Sequence, residues 1–374
     1  MRLLDALPSS VERAVACPAD GPLAAALERA GVERLPIGGT DLSFRLHPAR
    51  TSVGLVALAA SARQLARHAR RWRADVIHAN GLRAGLIATA PVARRRPPVV
   101  LQVHDRLGGG PAGEAVRRLL AAGCVDVLAV SRMTADAFNR GLRTPLAQVV
   151  PISVDHRRFR PGTSDPAATR RALGVPDGAP LLGEVAQITP WKGQRVAIET
   201  LARLRATRPD AQLLLVGHVA FSGPGVRYDN HAYLAELRAL VRTLGVEDAV
   251  HFLGQRDDVP AIMATLDLLL LPSWEEPFGT VAVEAMAVGT VPLVGDDGGV
   301  AEYVEDGVNG RALPPKRADL WAAAAEELLA DSQRLRAMST RAVETAARFT
   351  QEAYARGCLE AYERAAALER SGRS

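Results

Sequence analysis

LLLLPSWEEPFGTVAVEAMAVGTVPLVGDDGG, residues 268–299, carries the pattern of a strand, a turn, a helix and a second strand in direct succession. The leucines 268–271 form an unbroken apolar run, as a parallel strand covered on both faces requires, and residues 291–294 form another. The turn 275–279 contains Pro277, which stiffens it, and Gly279, which lets the backbone approach a ligand closely. A helix is predicted from about Thr280 through residue 288. Ligands of parallel sheets sit at the carboxyl ends of the strands. The free N–H groups and positive dipole end of a helix that starts there make a diphosphate site. Glu284 lies one turn into this helix, and helical side chains lean toward the N-terminus, so its carboxylate reaches back to the mouth of the site. Glu276 and Glu284 can therefore accept hydrogen bonds from two different hydroxyl-bearing rings. Taken singly, each also reads as a surface acid stabilised by the helix dipole. The small residues Ala285, Ala287 and Gly289 permit close packing of the helix on the sheet.

The same alternation extends outward in both directions. Strands are predicted at 11–16, 75–78, 99–104, 125–130, 181–186, 212–216, 250–253, 268–271 and 291–294, with helical stretches such as 22–30, 196–208, 231–244 and 281–288 between them. Repeated β-α alternation argues for α/β architecture with doubly wound parallel sheets. The segment HRRFRPGTSDP (156–166) breaks the periodicity, which places one Rossmann-like domain at 1–160 and a second at 161–350. Residues 351–374 form a strong helical tail that is expected to pack back on the first domain. The chain opens on RLLDALP, which looks like the end of a helix. The first βα unit is therefore expected to be missing, or to be encoded upstream of this start.

Composition narrows the class. At 374 residues with 48% apolar content, the chain has enough material for two ordinary cores. Residues 1–160 hold 24 Arg against 12 acidic residues, while the remainder holds 22 basic and 29 acidic ones. The basic half suggests a polyanionic or membrane-surface partner, for which Arg63, Arg67, Arg70, Arg71 and Arg73 with arginines 94–96 are the candidate cluster; the other reading is a solvated arginine face. Lysine occurs only at Lys192 and Lys316. Cys17, Cys124 and Cys358 fit neither a metal pattern nor a disulfide framework and point to a reducing, cytoplasmic compartment. The opening MRLLDALPSSVER does not read as a signal peptide, and no run of apolar residues is long enough to span a membrane.

Glu276-Pro-Phe-Gly followed by Glu284-Ala-Met-Ala-x-Gly, with the glutamates eight apart, resembles the retaining GT-B glycosyltransferases of family 4. The resemblance runs from about Val11 to Thr350. It includes Pro190-Trp191-Lys192-Gly193, residues 254–258, Leu271-Pro272-Ser273, Gly298-Gly299 with Glu302, and Asp306-Gly307. It implies a GT-B fold, two Rossmann-like domains facing a central cleft. It also implies transfer of a sugar from a nucleoside diphosphate sugar to a hydroxyl acceptor with retention of anomeric configuration. By resemblance, Glu276 binds hydroxyls of the donor sugar, Glu284 the ribose, and Phe278, Gly279, Thr280 and Val281 the sugar and diphosphate through the backbone. Lys192 would pair with the diphosphate, and His251, Phe252, Leu253 and Gly254 would border the nucleobase, mainly through backbone groups. His104 would touch the donor sugar near the reacting carbon. His78 and Asn80 follow a strand and border the acceptor, or form a simple turn. Catalysis would thus rest on Glu276, Lys192 and His104.

Three positions depart from the family pattern. Gln187 stands where an arginine is usual on the diphosphate; it can donate a hydrogen bond but carries no charge. Ile152-Ser153-Val154-Asp155 replaces the usual linker, and the first glycine-rich turn is missing. No Asp-x-Asp occurs, so a metal-bridged diphosphate is not indicated and no metal or cofactor beyond the donor is expected. The acceptor would be a small molecule, a glycan or a lipid-linked group, with peripheral membrane association through the basic domain. A nicotinamide dehydrogenase would need G-x-G-x-x-G, a spacing that Gly108-Gly109-Gly110 lacks. A nucleic-acid-binding protein would explain the basic half, but no recognised motif or aromatic platform accompanies it. A sugar-nucleotide-binding protein that is inactive for want of its first βα unit is the remaining alternative.

Overall fold

The structure, a computed structural model, describes residues 1–39, 48–92, 96–223 and 226–372. Contacts divide the chain into two units: residues 1–152 with 351–374, and residues 153–350. Among the described residues no helix is long and apolar enough to cross a membrane.

In the first unit, β1 (Ala14–Cys17) and β2 (Glu33–Pro36) form a two-stranded parallel sheet. β3 (Ile77–Asn80), β4 (Val99–Val103), β5 (Asp126–Ala129) and β6 (Ala147–Val149) form a separate four-stranded parallel sheet in that order. Among the described residues the six strands of this unit are thus split between two sheets. Of the arginines in the predicted basic cluster, Arg94 and Arg95 lie outside the described residues, and Arg96 donates to the Gly123 carbonyl. Helix Gln351–Gly372 covers one face of the larger sheet, where Tyr354, Cys358, Ala361 and Ala365 pack on Val100 and Leu128. Polar bonds fix its register: Tyr354 Oη donates to Gln102 Oε1 at 2.6 Å, and the Arg364 guanidinium donates to Asp126.

Among the described residues the second unit holds six parallel strands: β7 (Leu181–Val185), β8 (Gln212–Val216), β9 (Val250–Gly254), β10 (Leu268–Leu271), β11 (Val291–Gly295) and β12 (Arg311–Leu313). Their spatial order is β12-β11-β10-β7-β8-β9. The chain runs outward from β7 through β8 to β9, then returns to the other side of β7 with β10. The β7/β10 pair is therefore a topological switch point, where a crevice opens at the carboxyl ends. Leu268, Leu269 and Leu270 are fully buried because both faces of β10 are covered, which is why its sequence is apolar at every position. Truncating one of them to alanine would cost roughly 2–5 kcal/mol. Helix Thr280–Val288 is buried from Ala282 through Val288, so apart from the Glu284 carboxylate it is apolar all round rather than on one stripe.

The expected strands all form, with ends shifted by a few residues: the predicted 11–16 is observed at Ala14–Cys17, and 75–78 at Ile77–Asn80. β2, β6 and β12 have no counterpart among the predicted strands. They are three or four residues long, and ERLP, AQV and RAL carry no apolar run.

Candidate active site

Two loops meet at the switch point of the second unit. The loop after β7 makes a short 3-10 turn, Pro190–Lys192, and passes through Gly193 into helix Gln194–Leu204. The loop after β10 runs from Pro272 to Gly279 and enters helix Thr280–Val288. The loops are tied directly: the Trp274 amide donates to the Trp191 carbonyl at 2.9 Å. Gly193 has φ 87°, and a Cβ there would collide with the Pro272 carbonyl, so only glycine allows this approach. On the other side, Gly299 N donates to the Glu276 carbonyl at 2.8 Å, and Gly298, with φ 150°, lies against the Glu276 backbone with no room for a side chain.

This clamping aims the Glu276 carboxylate at Lys192. Lys192 Nζ donates to Glu276 Oε2 at 2.7 Å, and the two side chains are only 14% and 10% exposed. The same ammonium lies 4.0 Å from the centroid of the Trp191 ring. Lys316 sits 4.3 Å over the Trp274 ring, so both lysines of the chain rest on indoles of these two loops. The amides of Thr280 and Val281 have no intramolecular acceptor among the described residues, which leaves two donors at the helix N-terminus. Glu284 is buried one turn further on. Beneath the loop, Tyr303 Oη reaches the carbonyls of Phe278 and Gly279 at 2.7 and 2.8 Å, and Phe278, Tyr303 and Phe349 pack ring to ring. Burial, then the nearby Glu276 and Glu284 carboxylates, hold the Tyr303 phenol well above its usual pKa, so it stays a neutral donor. The structure therefore brings Lys192, Glu276, Phe278, Gly279, Thr280, Val281 and Glu284 to one place, as a cation, two carboxylates and free amides.

Glu184, a residue that sequence reasoning passed over, belongs to this neighbourhood. It lies on β7, is 1% exposed, and neither carboxylate oxygen has a hydrogen-bond partner. Burial raises its pKa well above the usual carboxyl range, with Lys192 opposing the shift. The signal was available as the single acid in LLGEVA. Gln187 follows on the same loop, and its carbonyl accepts from Gln194 Nε2 at 3.0 Å.

Phe252 and Gly254 line a cavity of about 350 Å³ bounded also by Gly217, His218, His231 and Arg238. His251 points elsewhere: its Nε2 meets Gln212 Oε1 at 2.8 Å, at the amino end of β8, away from the strand ends that carry the loops. Leu253, between Phe252 and Gly254, is half-buried.

In the first unit, His104 follows β4 and its Nε2 is hydrogen-bonded to Asn80 Oδ1 at the end of the adjacent β3. These two predicted residues are brought together at the carboxyl ends of their sheet. Burial lowers the His104 pKa, with Asp105 opposing. His78 has both ring nitrogens engaged: Nε2 donates to Gln102 Oε1 at 3.1 Å, and Nδ1 accepts from Tyr362 Oη at 2.8 Å. Burial holds it neutral by lowering its pKa to about 4. His78 thus links the sheet to helix Gln351–Gly372.

Comparison with known proteins bears on this arrangement. A family model described as glycosyl transferases group 1 matches residues 166–345, and one described as glycosyltransferase family 4 matches residues 1–158. The D-inositol 3-phosphate glycosyltransferase of Nocardia farcinica is 33% identical over 310 residues, covering 78% of this chain and 66% of that protein. The protein of the same name from Segniliparus rotundus is 32% identical over 313 residues, 79% of this chain and 67% of that protein. A third, from Stackebrandtia nassauensis, is matched over 48% of its length, so the chain spans about half to two thirds of these relatives. Among solved structures, Anabaena HepE in complex with UDP-glucose is similar with a TM-score of 0.79 and 28% identity, over 93% of this chain and 90% of that one. Sucrose-phosphate synthase of Thermosynechococcus elongatus shares the fold, with a TM-score of 0.73 at 22% identity over 91% of this chain and 84% of that one.

Proposed function

The chain belongs to the family 4 glycosyltransferases of GT-B fold, and from that premise we propose that it transfers a glycosyl group from a nucleoside diphosphate sugar to a hydroxyl acceptor with retention of anomeric configuration. The observation that carries this reading is the Lys192–Glu276 pair set beside the free amides of Thr280 and Val281. A donor would exchange this pair for better-matched partners. The diphosphate takes Lys192 and the helix N-terminus, while the sugar hydroxyls donate to Glu276 and the ribose hydroxyls to Glu284. Stabilising charge on the departing diphosphate is then electrostatic, supplied by groups already in place. The leaving phosphate oxygen takes the acceptor proton in a front-face attack. Gln187 offers a neutral donor where the family usually has a cation, so Lys192 bears more of the leaving-group charge.

Protein charges rather than a metal ion are proposed to neutralise the diphosphate, in keeping with the lack of Asp-x-Asp; activity is expected to survive chelation with EDTA. The similarity to a protein solved with UDP-glucose makes a uridine donor the first choice. His104 is assigned to the reacting sugar by the family resemblance. The three cysteines are buried and free, which fits a cytoplasmic site of action.

The test is calorimetric titration with UDP, GDP and ADP, alongside Glu284→Ala. One nucleotide should bind, and the substitution should weaken it by roughly 10- to 100-fold, the worth of a lost hydrogen bond to a charged group. Failure of all three to bind would overturn the reading. A second reading, donor binding without transfer, is favoured by the separation of β1 and β2 from the four-stranded sheet. It predicts tight nucleotide binding with no glycosyl transfer to any hydroxyl acceptor and no release of UDP from the donor.

A further inference from the structure

Glu184 is the next-to-last residue of β7, the strand that feeds the Lys192 loop. Leu182, two residues earlier, packs into the core around Ile198 and Leu201, so Glu184 projects from the same face. That places it under helix Gln194–Leu204, whose first turn stands at the carboxyl end of β7. Other buried acids have partners: Asp126 accepts from Gln148 and Arg364, and Glu276 from Lys192. Neither oxygen of Glu184 has one, and Gln194 Oε1, in the first turn of the helix, is a second buried acceptor without a partner. An apolar side chain would suit this place better, so the acid costs stability where it stands. An acid held at such a cost, on the strand that leads to the cation of a candidate site, points to a function.

The charged and titratable groups around it can be named. Burial opposes ionisation of Glu184, and the field of Lys192 favours it. Helix Asn230–Leu244 contributes Tyr233, whose Oη accepts from the Arg195 amide at 3.3 Å. Burial raises the Tyr233 pKa against that amide, Glu184 adds to the rise, and the phenol stays neutral. Arg195 and Glu236 also act on Tyr233, but Arg195 is half-exposed between Glu199 at 3.8 Å and Glu236 at 4.0 Å, which neutralise it at the surface. The flanking strands β8 and β10 read QLLLV and LLLL and add no titratable side chain. Helix Ala318–Ala330 turns Trp321, Ala324 and Leu328 into the same core. Lys192 is therefore the charge through which Glu184 and the candidate donor site sense each other.

We propose that Glu184 is a positioning residue that acts through Lys192: it takes up a proton from solvent as the donor binds, which makes donor affinity depend on pH. The inference rests on the reading that the donor diphosphate meets Lys192. In the free protein the ammonium already faces one anion, Glu276, and the diphosphate brings a second. An ionised Glu184 would be a third, repelling the diphosphate from within. Protonated, it leaves the ammonium to the other two. Binding of the diphosphate and protonation of Glu184 are therefore linked, and each favours the other. Because burial moves release of this proton above the ordinary carboxyl range, affinity is full at low pH and declines as pH rises through that release.

The test is calorimetric titration of the full-length protein with UDP-glucose, whose doubly esterified diphosphate lacks the ionisation near about pH 6 that a terminal phosphate has. Across a range from about pH 5.5 to pH 8, the wild type should bind with a constant Kd at the acid end and weaken by roughly tenfold toward the other. At the alkaline end its binding heat should differ between HEPES and Tris, because the proton comes from the buffer. Glu184→Gln should hold the acid-end Kd throughout and give the same heat in both buffers, and Glu184→Met should do likewise. Glu184→Asp, which restores an ionisable group, should restore a slope. A purely structural role would shift Kd without altering its pH dependence. A slope or a buffer-dependent heat that persists in Glu184→Gln would overturn the proposal, and so would a flat profile in the wild type. UDP-glucose that binds at no pH would overturn the donor reading and this coupling with it, whereas binding with a flat profile overturns the coupling alone.

Discussion

The Lys192–Glu276 bond has a consequence for how the two halves of a donor are felt. In Glu276→Gln the ammonium loses its anionic partner, so UDP, which uses the cation, the helix N-terminus and Glu284 but not Glu276, should bind several-fold more tightly. The sugar, however, loses a charged acceptor, so transfer should slow by roughly 10²–10³-fold. Titration with UDP set against kcat for transfer reads both changes, and a parallel fall in the two would contradict the exchange of partners. Glu184 is the second residue with its own signature. Its folded-state pKa lies well above that of an unfolded glutamate, so the native state holds a proton that the unfolded chain has released. Stability therefore falls as pH rises from the ordinary carboxyl range toward the raised folded value. Glu184→Gln keeps the shape and cannot ionise. Its melting temperature should exceed that of the wild type at pH 8 by a margin that shrinks toward pH 5, as thermal scans across that range would show.

At the scale of elements, the site depends on two loops held backbone to backbone. Gly193→Ala introduces both a left-handed alanine and a collision with the Pro272 carbonyl, so it should cost about 2–4 kcal/mol in urea unfolding. It should also weaken UDP binding, because Lys192 is displaced with the loop. Much of this level was legible in the sequence. β10 was read with its observed ends, since four leucines stopped by Pro272 and a turn fit a short strand covered on both faces, and Gly279 correctly preceded the helix at Thr280. Edge strands were not legible: AQV and RAL are too short and too polar to stand out from a loop. Nor was the bond between Lys192 and Glu276, which are 84 residues apart in the chain. Side-chain direction at His251 was not legible either. The residue adjoins Phe252 in sequence, yet strand alternation turns its ring toward Gln212, while Phe252 faces the cavity.

At the scale of the whole molecule, the two units have separate cores, one around Leu101 and Leu120 and the other around Leu201, Leu270 and Trp321. Nucleotide should therefore act on one of them. With UDP at 100 times its Kd, hydrogen exchange governed by global opening of the second unit should slow by about 100-fold, or about 2.7 kcal/mol. Protection should centre on residues 279–284, while exchange in β3–β6 stays unchanged; equal protection of both would refute a nucleotide site confined to residues 153–350. The basic and acidic halves of the chain noted in the sequence correspond closely to these units, except that the last helix returns to the first. That return bears on how the protein is made. Val100 and Leu128 are covered by helix Gln351–Gly372, which is translated about 200 residues after Ile152. At about 5–20 residues per second the ribosome takes roughly 10–40 s to supply it. During that interval the nascent first unit presents a bare apolar sheet, and the unit encoded in the middle of the message can finish folding before the one that begins it.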